Sequence, residues 1–120
     1  MNTEEERKLF AFAQEQSRKG DTDGVVRTMR ELVKRRPKSG VFAAILANAL
    51  KSLGETAEAE HYFKSAIALS PKGEKISLGL FHCLWSQGKR EEALEEIGRF
   101  TALAESNEYR AILDAILKAD

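Results

Sequence analysis

A spacing of 34 residues recurs along this chain. Gly20, Gly54 and Gly88 follow one another at intervals of 34 residues, and Pro37 and Pro71 are separated by the same interval. Self-similarity with a period of about 20 to 50 residues is typical of arrays in which one small unit stacks on the next. Each unit of such an array buries its apolar face mainly against its neighbours. The sequence therefore predicts a stack of similar units.

Each unit contains two apolar stripes with helical spacing. The units span residues 6–39, 40–73 and 74–107, and equivalent places in them hold mostly apolar or small residues. In the first half of the units these are Leu9, Phe12 and Ala13, then Ala43, Leu46 and Ala47, then Ser77, Leu80 and Phe81. In the second half they are Val25, Met29 and Leu32, then Ala59, Phe63 and Ala66, then Ala93, Ile97 and Phe100. Steps of three and four residues place each set on one face of a helix. A glycine ends the first helix of each pair in the left-handed conformation, and Pro71 stops the second helix of its unit.

The last segment, residues 108–120, has a different register. Its apolar stripe consists of Tyr109, Ile112, Leu113, Ile116 and Leu117. The end of a repeat array must cover the last unit's apolar face and present charge to water. We therefore expect a capping helix here, with Asp114, Lys118 and Asp120 facing water.

The second unit carries residues that point to a family. In their places and order, Leu46, Ala47, Gly54, Ala59, Phe63, Ala66 and Pro71 resemble the tetratricopeptide repeat (TPR) family. The resemblance covers residues 6 to about 107. It implies an all-α fold: a right-handed α-solenoid of three helix-turn-helix units with a C-terminal capping helix, forming one domain over residues 1–120. Phe81 and Phe100 depart from the family pattern, because they occupy places where TPR units carry small residues. We expect altered packing in the third unit.

The resemblance also implies a binding site, because the first helices of TPR units line a concave groove that contacts partners. The groove places of the first unit hold Arg7, Phe10, Gln14 and Arg18. Those of the second hold Val41, Ala44, Ile45, Asn48 and Lys51. Those of the third hold Lys75, Leu78, Gly79, His82, Trp85 and Ser86. The centre of this predicted groove is apolar, and a contiguous exposed apolar patch usually marks a binding site.

Two alternatives remain open for the groove residues. Neighbouring helices or the capping helix could partly cover Phe10, Val41, Ile45 and Leu78. Trp85 could anchor a partner through its large contact area, or it could pack under the last helix against Tyr109 or Ile116.

One known TPR activity can be compared with this sequence directly. Chaperone-binding members of the family grip terminal carboxylates with Lys, Asn and Arg side chains. The matching places here hold Phe10, Gln14, Ile45, Lys75 and Gly79. Because only Lys75 matches, the sequence does not favour a carboxylate clamp for chaperone tails.

Reactive side chains show no arrangement typical of catalysis. His82 and Cys83 are neighbours in sequence, but adjacent helical residues point about 100° apart, so they do not readily share a proton. His61 is expected on the outer face of the second unit. No metal-ligand spacing or phosphate-binding loop is recognisable. We therefore expect no enzyme activity, no cofactor and no metal.

Charge and composition narrow the partner and the compartment. The chain has 19 basic and 19 acidic side chains, so its net charge attracts neither nucleic acid nor an anionic membrane. The single cysteine, the acidic N-terminal segment without an apolar run, and uncharged runs of at most 12 residues predict a cytoplasmic protein without a membrane span, which needs about 20 apolar residues. Basic residues are concentrated between Arg27 and Lys38, and acidic ones between Glu91 and Glu96.

The leading hypothesis is a non-catalytic protein–protein interaction module, such as an adaptor, a chaperone-like protein or an inhibitory (immunity-type) protein. Its apolar groove would bind a protein or peptide segment, and a monomer is favoured. The alternative is a regulator that binds nucleic acid through the basic stretch Arg27 to Lys38. The sequence favours this less, because no aromatic residues interrupt the stretch.

Overall fold

Paired helices follow one another along the chain. The computed structural model describes residues 3–119, and the helices are α1 (Thr3–Arg18), α2 (Thr22–Arg35), α3 (Gly40–Ser52), α4 (Thr56–Leu69), α5 (Glu74–Ser86), α6 (Arg90–Thr101) and α7 (Asn107–Lys118). Residues 3–119 contain no β-strand. The predicted all-α solenoid of three helix pairs and a capping helix is confirmed. Asp120, expected to face water, lies outside the described residues.

The three repeated glycines make the same turn. Gly20, Gly54 and Gly88 have φ angles of 76°, 83° and 78°, which lie in the left-handed region where a side chain would be strained. The residue after each glycine closes the helix end: the N–H of Lys89, for example, donates to the Leu84 carbonyl oxygen at 3.0 Å. This bond satisfies a carbonyl group that the helix itself leaves free. The 34-residue spacing is therefore a repeat of one helix-ending turn.

Each helix packs against the next along the chain from α1 to α6, and α3 also contacts α5. The buried apolar side chains form one continuous core that runs along these helices, in a molecule that measures 50 × 27 × 21 Å. In the second unit the predicted stripes are buried: Leu46, Ala47, Ala59, Phe63 and Ala66 have 0% exposure, and Ala43 has 3%. Small side chains at this contact let α3 and α4 approach closely, while Phe63 fills the space between helices.

Phe12 is an exception, and its predicted place in the packed stripe is wrong. Its side chain is 56% exposed, whereas the equivalent Leu46 and Leu80 are 0% and 5% exposed. The helix before α3 packs on α3, and the helix before α5 packs on α5. No helix precedes α1 within residues 3–119. The face of α1 that contains Phe12 therefore meets water.

The last helix is attached chiefly through Tyr109. This side chain is fully buried, and its ring centre lies 5.9 Å from that of Phe81 and 5.8 Å from that of Phe100. The rest of the predicted stripe packs less tightly: Ile112, Leu113 and Ile116 are half-buried, and Leu117 is 74% exposed. Asp114 and Lys118 face water as predicted. No helix within residues 3–119 is both long enough and apolar enough to span a membrane.

Candidate protein-interaction site

The first helices of the three pairs, α1, α3 and α5, are neighbours on one side of the molecule. We call the surface that their groove positions form the first-helix face. The rings of Phe10 in α1 and Phe42 in α3 lie 5.7 Å apart, and α3 contacts α5 directly. The charge of Lys51 in α3 also influences His82 in α5. The groove positions of α1, α3 and α5 therefore lie on neighbouring helices.

The predicted site residues divide into an exposed and a half-buried group. The exposed ones are Arg7, Gln14, Val41, Asn48, Lys75 and His82. The half-buried ones are Phe10, Ala44, Ile45, Lys51, Leu78 and Trp85. Neighbouring side chains thus cover part of the apolar centre, but they leave Val41 with 62% exposure.

Gly79 differs from the other predicted groove residues because it is buried. A Cβ atom at this position would lie only 2.4 Å from Cε1 of Phe63. The missing side chain is what allows the Phe63 ring of α4 to pack against α5. The expectation that Gly79 lines the groove is therefore wrong.

A pocket of about 440 Å³ opens between α1 and α3. Three of the predicted site residues line it, namely Arg7, Phe10 and Gln14. Its other lining residues were not predicted: Thr3, Glu6, Ala11, Arg36, Ser39 and Phe42. The apolar part of the wall comes from the two phenylalanines and Ala11, so the pocket has room for a large apolar side chain.

An ion pair forms part of this pocket wall. Oε1 of the buried Glu6 accepts hydrogen bonds from Nε and Nη2 of Arg36 at 2.9 and 2.7 Å. The hydrogen bond from the Arg36 guanidinium lowers the pKa of the Glu6 carboxyl, although burial opposes this. The other oxygen, Oε2, is buried and accepts no hydrogen bond. Because the two residues are 30 positions apart in sequence, helical periodicity alone does not reveal their contact.

Trp85 lies at the other end of the first-helix face. Its ring stacks on Phe81 at 5.5 Å, and the Arg90 guanidinium carbon lies 4.7 Å from its ring centre. Phe81 in turn makes an edge contact with Tyr109. Phe81 thus links Trp85 to the last helix, and the tryptophan ring remains half-buried.

The two side chains considered for catalysis, His82 and Cys83, have different surroundings: His82 is exposed and Cys83 is buried. Neighbouring atoms nevertheless displace part of the water around the His82 ring, and this partial desolvation, followed by the charge of Lys51, lowers its pKa. Cys83 is fully buried, its thiol donates to the Thr56 carbonyl oxygen at 3.1 Å, and burial raises its pKa. A protonated, inaccessible thiol is a poor nucleophile. Within residues 3–119 no group of three or more His, Cys, Asp or Glu side chains is arranged to hold a metal ion.

Several cations of the basic stretch Arg27 to Lys38 are already paired with carboxylates. Arg30 donates two hydrogen bonds to Glu58 at 2.5 and 2.9 Å. Arg35 pairs with Glu5 and Glu31, and Arg36 pairs with Glu6. Arg27, Lys34 and Lys38 remain exposed. Internal pairing weakens the positive field that a phosphate backbone would experience.

These features define a helical-repeat solenoid, a class whose units each contact mainly their neighbours. The family model for the tetratricopeptide repeat matches residues 50–116, which is more than half of the chain. The protein therefore belongs to the tetratricopeptide repeat family and is a protein-interaction module of that type. No curated protein matches its sequence.

Solved structures show the same fold at low sequence identity. The first TPR domain of Spaghetti (RPAP3), bound to an HSP90 peptide, is 21% identical with a TM-score of 0.84, and the match covers 99% of this chain and 95% of that one. The type III secretion translocator chaperone SycD of Yersinia enterocolitica is 16% identical with a TM-score of 0.79, covering 99% and 92%. MamA is 22% identical with a TM-score of 0.76, covering 85% and 74%.

Proposed function

We propose that the chain is a non-catalytic binding module, in an adaptor, chaperone-like or inhibitory role, whose first-helix face binds a segment of another protein. The observation that carries this proposal is the apolar band across the first helices of the three pairs, α1, α3 and α5. Val41 is 62% exposed, and the half-buried Phe10, Ile45 and Leu78 extend the band on both sides. Burying such a surface on a partner stabilises a complex by roughly 25 cal/mol per Å², offset by the ordering cost of association.

The structural neighbours support a protein or peptide as the partner. One was solved with a peptide bound, and another is a secretion chaperone. Within residues 3–119 the paired arginines of the basic stretch give less support to nucleic acid as the main partner.

The proposal can be tested with two matched substitutions. Val41→Asp puts a carboxylate in the apolar band. The control, Leu94→Asp, puts a carboxylate at a 41% exposed leucine of α6, which is the second helix of its pair and lies outside the first-helix face. Asp in the first turn of α3 is compatible with the helix dipole, so Val41→Asp should remain folded by circular dichroism. On a partner, that carboxylate would be desolvated without a counter-charge.

The readout is quantitative capture from an extract of the source cells, with the wild-type protein and both variants immobilised. We expect to capture a protein that the wild type and Leu94→Asp both retain. Val41→Asp should retain about tenfold less of it, because desolvating an unpaired carboxylate costs more than the 1.4 kcal/mol that corresponds to a factor of ten in affinity. If Leu94→Asp loses the captured protein while Val41→Asp keeps it, the partner binds the second helices and the proposal is wrong.

A further inference from the structure

Charged side chains flank Phe12 on the open face of α1. They follow one another at steps of three and four residues, which keeps them on one side of the helix. We call this surface the α1 stripe, and its members are Glu5, Lys8, Phe12, Glu15 and Lys19. It is separate from the first-helix face, because Phe12 and the groove residue Phe10 are two positions apart in the helix and point about 160° apart.

The equivalent positions in α3 and α5 are mostly apolar. One repeat later they hold Phe42, Leu46, Ala49 and Leu53, and two repeats later they hold Ile76, Leu80 and Cys83. The central ones, Leu46 and Leu80, are buried, and each of these helices packs on the helix before it. In α1 charged residues replace the apolar ones on both sides, as expected for a surface in water. The large apolar side chain at the centre, however, is retained.

The charges of the α1 stripe reverse their sign about Phe12. Glu5 lies seven residues before Phe12 and Lys19 lies seven residues after it, while Lys8 lies four residues before it and Glu15 three after it. In a two-fold symmetric contact the same surface of both copies meets, so that residue i faces j and j faces i. Two antiparallel copies of α1 centred on Phe12 would therefore bring Glu5 to Lys19 of the second copy, and Lys8 to Glu15 of the second copy.

The same charges disfavour a parallel arrangement. Two parallel copies of α1 would place each member of the stripe opposite itself, so that every carboxylate would meet a carboxylate and every ammonium group an ammonium group. Like charges held together at an interface oppose binding. The two Phe12 rings would meet in both arrangements. The charges, and not the ring, therefore select the antiparallel one.

Ion pairs within the molecule do not prevent this contact. Glu15 pairs with Arg18 and Lys19 of its own helix, and Glu5 pairs with Arg35 of α2. Pairs between exposed side chains contribute little to stability, and an ionised carboxylate accepts several hydrogen bonds. A second copy can therefore add its cations to these pairs or replace a pair within one helix.

We infer that the α1 stripe is an interface between two copies of this chain, which pack antiparallel with their Phe12 rings in contact at a two-fold axis. Each copy contributes one helix of 16 residues, which is about 24 Å long. Such a small interface is weak, and we expect a dissociation constant of about 10–100 μM. The monomer that the sequence favours is then the form at low concentration. Because the first-helix face points away from the axis, the dimer presents two such faces to partners.

Sedimentation velocity of the whole chain at increasing concentration tests the dimer. We expect the wild type to change from one chain to two between about 1 and 500 μM. Phe12→Asp should weaken the dimer by about thirtyfold or more, because it places two carboxylates together at the axis without a counter-charge. The matched control Leu94→Asp, which changes a 41% exposed leucine of α6, should dimerise like the wild type. Circular dichroism checks that each variant is folded.

An exchange of two charges within one chain tests the orientation. Lys8→Glu alone and Glu15→Lys alone should each weaken the dimer by about tenfold, because each creates like-charge contacts at two symmetric places. The double variant with both substitutions restores opposite charges in the antiparallel dimer. Its dissociation constant should return to within about threefold of the wild-type value. In a parallel dimer the exchange would restore nothing.

The concentration series and the variants each give a result that would overturn the inference. A wild-type chain that stays monomeric up to about 500 μM shows that the α1 stripe faces water or a different protein. A dimer that persists in Phe12→Asp uses another surface, and so does one that Leu94→Asp removes. A double variant that dimerises no better than the single ones excludes the antiparallel register. Val41→Asp leaves the stripe intact and should dimerise normally, so the proposed function fails or stands independently.

Discussion

Replacing Tyr109 by phenylalanine removes one hydroxyl from the contact that holds the last helix. Ser77 donates to Oε2 of Glu96 at 2.6 Å, and its oxygen lies 2.6 Å from the Tyr109 hydroxyl. A serine hydroxyl has one proton. Because Ser77 uses that proton on Glu96, Tyr109 must donate its own to Ser77. The chain of donors thus runs from α7 to α5 to α6.

This direction ranks three substitutions by their cost in unfolding free energy. Tyr109→Phe keeps the ring against Phe81 and Phe100 and loses one hydrogen bond, about 1 kcal/mol. Ser77→Ala leaves the fully buried tyrosine hydroxyl without an acceptor, which costs about 1–3 kcal/mol. Tyr109→Ala also removes the ring and should cost about 3–5 kcal/mol.

Urea denaturation followed by circular dichroism measures all three, and Trp85, the only tryptophan in the chain, reports on the nearby contact by fluorescence. The reasoning is refuted if Tyr109→Phe is as destabilising as Ser77→Ala. That result would mean that the tyrosine accepts the hydrogen bond instead of donating it.

The same contact predicts a loss of stability in alkali. Burial raises the pKa of Tyr109 from its ordinary 10.0 to about 12. A raised pKa means that the folded state keeps the proton more tightly, so this contribution is complete below pH 10 and is lost as pH rises from about 10 to 12. A shift of about two units corresponds to roughly 3 kcal/mol at most. Tyr109→Phe should remove this contribution and make the loss in alkali smaller, whereas Tyr62→Phe, which changes the other tyrosine, should keep it.

Four further substitutions test the packing and the pH dependence by urea denaturation. Gly79→Ala would bring a Cβ atom to 2.4 Å from Phe63 and should cost about 1–3 kcal/mol, whereas Gly98→Ala, which meets no atom within 4 Å, should stabilise α6 by about 0.5–1 kcal/mol. Ala59→Leu at a completely buried position should also cost about 1–3 kcal/mol, and an unchanged midpoint would contradict the helix register. Burial raises the pKa of Glu60, but hydrogen bonds from two lysines and a glutamine outweigh it and lower the pKa to about 2. The contribution of Glu60 to stability should therefore be complete above pH 4.5 and be lost as pH falls towards 2, so Glu60→Gln should make the decline in acid less steep.

Repetition made most of the fold predictable from the sequence. A helix-ending glycine every 34 residues sets the turn, and the stripes around it set the buried faces. As a result α3 and α5 begin at Gly40 and Glu74, the expected first residues of their units. Ala59 and Phe63 are buried as their spacing requires. These features depend on local backbone geometry and on contacts that each unit repeats.

The residues that the sequence misplaced or did not reveal depend on contacts that are not repeated. Phe12 has the same place in its helix as Leu46, but its exposure is decided by whether another helix packs on α1. Likewise, Glu6 and Arg36 meet across 30 residues of sequence, and no equivalent pair indicates their contact. The pocket wall that they form could not be read from helical periodicity, because ion pairs between helices depend on individual side chains and not on a stripe.

The departures from the family pattern mark the attachment site of the last helix. Phe81 and Phe100 stand where the second unit carries Ala47 and Ala66, and both contact the Tyr109 ring. Bulky side chains at these places would prevent a helix with the usual small residues from approaching in the usual register. A tyrosine, in contrast, packs its ring against both phenylalanines and directs its hydroxyl to the buried Ser77. The slipped register of α7 is therefore explained by the need to bring one aromatic residue over this site, and the same residues that weaken the repeat pattern form the surface on which α7 packs.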